Sequence, residues 1–171
     1  KLLLATGGIP RELTGLPGGD LDNILTLRTL ADSDRILEKA KQGGRVVVIG
    51  ASFIGMEVAA SLAKGQKLAV TVTAPEDVPF EKVLGDRVGK MFHDEHAENG
   101  VEFRLGEQVD AFEGEKGRVT GVRLKGGDVL PADFVVVGVG VRPATDFLEE
   151  SGIRMNERDG SVEVDETLQT S

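Results

Sequence analysis

The chain has 171 residues, enough for a domain with a hydrophobic core, and 40 % of them are hydrophobic. Its formal net charge of -9 disfavours nucleic acid and anionic membrane surfaces as partners, because both require a basic face. Cysteine is absent, which excludes disulfides, thiolate nucleophiles and cysteine-held metal centres from these residues and suits a reducing cytoplasm, the location expected here; no apolar run is long enough to span a bilayer.

In chain order, Leu2–Ala5 is a short apolar run stopped by Thr6-Gly7-Gly8, which reads as a buried strand end. Residues 9–23 are rich in Pro, Gly and Asp and read as a linker. Thr29 with Asp32 forms a capping-box pattern. It opens a helix to about Lys41, with Leu30, Ile36, Leu37 and Ala40 near one face. Arg45–Ile49 is apolar on both faces, the pattern of a central parallel strand. A helix from Phe53 to about Lys64 follows, then a strand over Leu68–Thr73, a proline-containing loop to Leu84 and a helix over Asp86–Glu98. Val101–Leu105, Gln108–Glu113, Arg118–Leu124 and Asp128–Leu130 alternate between Gly-rich turns and read as a small antiparallel meander. Asp133–Val137 returns to the buried parallel pattern. Thr145 is expected to cap a short helix to Glu150, and Ile153–Val164 to form a ribbon turning at Asp159-Gly160. The expected fold is α/β: a Rossmann-like doubly wound parallel sheet with an antiparallel β-meander inserted in its crossover.

The segment that carries chemistry is Val46-Val-Val-Ile-Gly50-Ala-Ser52-Phe53-Ile54-Gly55-Met-Glu57. It is a Gly-x-Ser-x-x-Gly variant of the dinucleotide fingerprint, set between a strong strand and a strong helix. That chemistry needs a tight turn at the first position, close backbone approach to a pyrophosphate at the second, and close helix–strand packing at the third. Gly50 and Gly55 meet the first and third needs. Ser52 departs at the second, where its β-carbon crowds the ligand and its hydroxyl could bond it. The helix N-terminus, with Phe53 and Ile54, offers N–H groups and a positive dipole end. An acid for the adenosine ribose is expected about 20 residues further on. Glu76 and Asp77 stand just past the strand end, either in that role or as a solvated acidic loop. No arginine adjoins them to receive a 2′-phosphate, so NADH is favoured over NADPH. His93 and His96 lie three apart on a helix but sit among acids on what reads as a solvated face, so no metal site is assigned.

Together these residues resemble the pyridine-nucleotide-dependent flavoprotein reductases, and most of all the ferredoxin and rubredoxin reductases and the apoptosis-inducing-factor-like proteins. Leu2–Gly8 is similar to the strand end that closes the family's first FAD-binding segment. Gly50–Glu57 resembles its nicotinamide-domain fingerprint, Val78–Gly85 a loop of the apoptosis-inducing-factor-like branch, and Val135–Pro143 its closing strand and loop. Val164–Ser171 resembles the approach to its second FAD motif. The resemblance implies that Gly50, Ser52 and Gly55 hold a pyrophosphate. It makes Phe53 an aromatic gate over a flavin, turns Glu57 toward the nicotinamide end, and has Gly140 line the cleft from the other side. The family's ribose acid falls at Ala74, so its role would pass to Glu76, and Lys82 would lie near the adenosine phosphates.

The expected organisation is a strand end and linker from an FAD domain over 1–25, an NAD(H)-binding domain over 26–150, and a ribbon tail returning to the FAD domain over 151–171. The expected function is that of the NADH-binding domain of a flavoprotein oxidoreductase. It would pass hydride to FAD, and the enzyme would send electrons to an iron–sulfur partner such as a ferredoxin or rubredoxin. The chain reads as excised, inactive alone and unable to retain FAD, and no catalytic acid or base is assigned. Two alternatives are a stand-alone dinucleotide-sensing domain, which would not need Phe53 with Glu57, and a dehydrogenase half acting on a small substrate. The latter would need a catalytic His, Tyr or Lys near the nicotinamide; tyrosine is absent, and neither histidine lies near the fingerprint.

Overall fold

A computed structural model describes all residues from Lys1 to Ser171. They pack as two compact units, Glu12–Val139 and a smaller one made of Lys1–Arg11 with Gly140–Ser171. The elements in chain order are β1 (Gly8–Pro10), β2 (Ile24–Thr26), α1 (Leu30–Ala40), β3 (Arg45–Ile49), α2 (Phe53–Ala60), β4 (Ala69–Ala74) and α3 (Glu81–Glu98), followed by β5 (Val101–Leu105), β6 (Val109–Glu115), β7 (Arg118–Leu124), β8 (Val129–Pro131), β9 (Phe134–Val137) and β10 (Val141–Pro143).

In the larger unit, five parallel strands run in the order β2-β9-β3-β4-β5. From β3 through α2, β4 and α3 to β5 the chain crosses the sheet one way; from β5 back to β9 it crosses the other way. Right-handed crossovers then place the two connections on opposite faces. The side chains agree. Val46, Val48, Val70, Val72 and Phe134 pack with Ile36 of α1 and Met56 and Ala59 of α2. Val47, Ile49, Val135 and Val137 face Phe112, Val122 and Leu130 of the antiparallel β6-β7-β8 sheet. The sheet is thus doubly wound, as expected, with the inserted meander as its second cover.

Several local expectations are corrected. Val101–Leu105 is not a meander strand but the parallel edge strand beside β4. Its Val101, Phe103 and Leu105 alternate toward the helix-face core, and a period of two suits either placement. Leu2–Ala5 forms no strand. Leu2 and Leu3 are exposed, because no strand of this chain supplies their ladder partners; β1 instead pairs antiparallel with β10. Residues 9–23 are not a simple linker: Leu13, Leu16 and Leu21 pack on the meander-face core, and β2, three residues long and unread in the sequence, joins the sheet beside β9. The compact units therefore divide at Arg11/Glu12 and Val139/Gly140, whereas the sequence places divisions at 25/26 and 150/151.

The Thr29–Asp32 capping box forms as read, but only Ile36 and Ala40 of α1 are buried, and Leu30 is exposed. α2 continues as a π-helical turn over Ser61–Gly65. α3 begins earlier than read and is broken at Gly85 (φ 73°), so that regular helix resumes at Asp86. In the smaller unit, Thr145 precedes only a 3-10 turn, Asp146–Leu148, and its hydroxyl donates to the Gly160 carbonyl at 2.6 Å instead of capping. Met155 and Val162 bridge antiparallel around the turn at Asp159-Gly160.

Candidate functional site

The C-terminal ends of β3 and β9 lie side by side, Ile49 opposite Val137, where the crossover direction reverses. Open α/β sheets hold ligands at that point. Three backbone segments converge on it. Gly50 leaves β3 with φ 111°, a conformation that glycine tolerates and bulkier residues do not. Its N–H donates to the Thr73 carbonyl at 2.8 Å, while the Gly138 N–H donates to the Ile49 carbonyl at 2.7 Å. A Cβ on Gly55 would overlap the Gly50 carbonyl oxygen, and one on Gly50 would overlap the Gly138 carbonyl oxygen. A Cβ on Gly138 would lie 3.2 Å from the Gly55 nitrogen. The turn is therefore built by backbone against backbone, and no side chain occupies it.

Ser52 stands at the N-cap of α2 with extended backbone, and its hydroxyl bonds no helix N–H. Its carbonyl accepts the Met56 N–H at 2.9 Å. The N–H groups of Phe53, Ile54 and Gly55 before it are the unsatisfied donors of a helix start. The Ile54 side chain packs against the helix-face core. Phe53 is 53 % exposed, and its ring meets Phe80 edge-on at 5.2 Å. A turn that glycine alone can form, with free donors at a positive helix end, fits a dinucleotide pyrophosphate.

The remaining candidates lie around this turn or away from it. Glu76 follows the end of β4, and its carboxylate accepts from Lys82 Nζ at 2.5 Å. That bond, and the carboxylate's charge, hold the Lys82 ammonium above its ordinary pKa. The two residues nominated for the adenosine end are thus paired with each other. Glu57 is exposed on α2 and borders a shallow groove of about 180 Å³ with Leu27, Ser33 and Ile36. Gly140 belongs to the smaller unit, where its carbonyl accepts the Arg11 N–H at 2.9 Å. His96 bonds the Phe92 and Met56 carbonyls, and His93 contacts Asp94 and the Phe103 ring. No group of three or more acidic, His or Cys side chains is placed to hold a metal ion.

Sequence reasoning missed two residues here. Gly138 packs its backbone against Gly55, where an added Cβ would lie 3.2 Å from the Gly55 nitrogen, and its signal was a glycine directly after the buried run Phe134–Val137. Phe80 adopts left-handed backbone (φ 58°), and its N–H donates to the Ala51 carbonyl at 2.8 Å. Nothing local in the sequence marks a phenylalanine for that conformation.

This fold is a doubly wound α/β sheet with a glycine turn at its switch point, and the family model for pyridine nucleotide-disulphide oxidoreductase matches residues 1–171. The chain belongs to that family. It is 41 % identical over its full length to mouse apoptosis-inducing factor 3 and 38 % identical to the ferredoxin reductase subunit of a 5,5'-dehydrodivanillate O-demethylase from Sphingobium. A crystal structure of a ferredoxin reductase from Rhodopseudomonas palustris superposes over 97 % of the chain with TM-score 0.90 at 36 % identity. The chain spans 28 % of the mouse protein and 40 % of each of the other two. No helix is long and apolar enough to cross a membrane.

Proposed function

We propose that this chain is the NADH-binding part of a flavin-dependent oxidoreductase. It would orient the nicotinamide toward an FAD held by segments outside these residues. Electrons would then pass to an iron–sulfur partner, as the ferredoxin reductases among its relatives suggest. The observation that carries this is the side-chain-free turn of Gly50, Gly55 and Gly138 at the sheet's switch point.

The bound dinucleotide supplies the hydride, and the protein supplies orientation and electrostatics. In this reading the N–H groups of Phe53, Ile54 and Gly55 bind the pyrophosphate, which passes close over Ser52 at the start of α2. Phe53 covers the nicotinamide place until the ring displaces it; its exposure supports a mobile role. Glu57 borders the nicotinamide end. Glu76 takes the adenosine ribose hydroxyls, with Lys82 beside the phosphates. No side chain here is asked to move a proton, since hydride transfer needs none.

Calorimetric titration tests the reading. NADH should bind more tightly than NADPH, because a 2′-phosphate meets Glu76 and Asp77. The purified chain should show no flavin absorbance and should not turn over NADH. Failure of a folded chain to bind NADH, or flavin retention with steady NADH oxidation, would overturn it.

A further inference from the structure

A short segment after β4 links the two ends of this site. Phe80 is buried, and its backbone sits in the left-handed region, which is costly for a bulky side chain and persists only where the surroundings enforce it. Two interactions enforce it. The Phe80 N–H donates to the Ala51 carbonyl, inside the turn between Gly50 and Ser52. Its ring is held between Phe53, at 5.2 Å, and Phe92 on α3, at 4.8 Å. On its C-terminal side, the Phe80 carbonyl accepts the N–H groups of Val83 and Leu84 at 2.9 and 2.8 Å, closing a single helical turn. That turn carries Glu81, which accepts the Asp77 N–H at 2.8 Å, and Lys82, which holds Glu76. Gly85 has φ 73° and open space around it. The turn is thus tethered at Phe80 and set apart from the regular part of α3 by the non-helical Gly85.

We infer that Phe80 is a positioning residue that couples the Phe53 ring to the Glu76–Lys82 pair, so that displacement of Phe53 shifts the turn carrying Lys82 and resets the charge at the far end of the site. Its role as a ligand-driven link rests on the dinucleotide reading, while the mechanical coupling does not. When Phe53 swings away, Phe80 loses one of its two aromatic neighbours. Its strained backbone then relaxes, and Lys82 is no longer held against Glu76. A ligand that moves Phe53 at one end therefore changes the affinity of the other end for a ribose and phosphate.

The coupling is tested first without ligand. Phe53 is half exposed, so Phe53→Ala should fold normally. NMR should then show the Phe80 amide exchanging at least tenfold faster and the Lys82 ammonium signal moving toward that of free lysine. Phe53→Leu, which restores bulk against Phe80, should recover much of both. Phe80→Leu should produce the same Lys82 change, and adding Phe53→Ala to it should produce no further change, the non-additivity expected of one chain of contacts. With ligand, ADP carries only the adenosine half and is the probe. Its affinity should change at least threefold in Phe53→Ala and be insensitive to Phe53→Ala in the Phe80→Leu background. Unchanged Phe80 exchange and Lys82 signals in a folded Phe53→Ala protein would overturn the coupling even where ADP binds. Coupled signals in a protein that binds no ADP would instead remove the dinucleotide reading, and with it the ligand-driven role.

Discussion

Gly55→Ala isolates the packing on which the site depends. Gly55 has ordinary helical backbone, so by propensity alone alanine would stabilise α2 by about 1 kcal/mol. The added methyl, however, overlaps the Gly50 carbonyl oxygen, and both partners are backbone. Neither can rotate away, so the start of α2 must move off β3 by roughly 1 Å to restore van der Waals contact. That movement disturbs Met56 and Ala59, which are almost fully buried under the sheet. Overpacking of this kind costs about 1–3 kcal/mol. A backbone-on-backbone overlap belongs at the upper end of that range, so after the propensity gain the net loss should be about 2 kcal/mol, a fall in melting temperature of roughly 4–8 °C for a chain of this size. Gly65→Ala is the control: a Cβ there meets nothing, so that variant should match or slightly exceed the wild type. Thermal unfolding followed by circular dichroism reads both, and titration with NADH should show weaker binding for Gly55→Ala alone. A Gly55→Ala protein that melts at or above the wild-type temperature would refute the claim that helix and strand are locked at contact distance.

Other outcomes are expected from single side chains. Ser52→Gly should change stability by no more than a few tenths of a kcal/mol, because the Ser52 hydroxyl caps nothing, and should keep or raise NADH affinity by removing a β-carbon; a clear loss in calorimetry would mean that the hydroxyl binds the phosphate. Thr73→Val should raise stability by about 1 kcal/mol, since the Thr73 hydroxyl is fully buried without a hydrogen-bond partner; a lower melting temperature would contradict this. Thr29→Ala should cost about 1 kcal/mol at neutral pH through loss of the α1 cap. The Thr29 N–H and hydroxyl hold the Asp32 carboxyl below its ordinary pKa. Its contribution is therefore complete above about pH 4 and lost as pH falls through the lower folded value, so urea titrations should find the stability gap between wild type and Asp32→Asn closing in acid.

The legibility of the chain followed the range of each interaction. The capping box, the central strand Arg45–Ile49 and the glycine turn were readable because each is specified within a few residues. Leu30 and Leu37 show the limit. Their spacing matches a helix face, yet Ile36 and Ala40 are what the sheet covers. Glu76 and Lys82 were each readable as a candidate, but their pairing across six positions was not, because it depends on the Phe80 turn that brings them together.

By itself the sequence determined the α/β class and the strand–Gly–helix turn, since backbone freedom at glycine and apolar periodicity are local properties. Only the tertiary structure decided that β5 joins the parallel sheet, that Ile24–Thr26 forms its other edge, and that the meander covers one face. It also decided that Gly138 completes the turn and that Phe80 is held in a left-handed conformation. Strand partners, close backbone approaches and enforced conformations come from residues far apart in the chain, and a period or a motif carries no information about which distant segment will meet it.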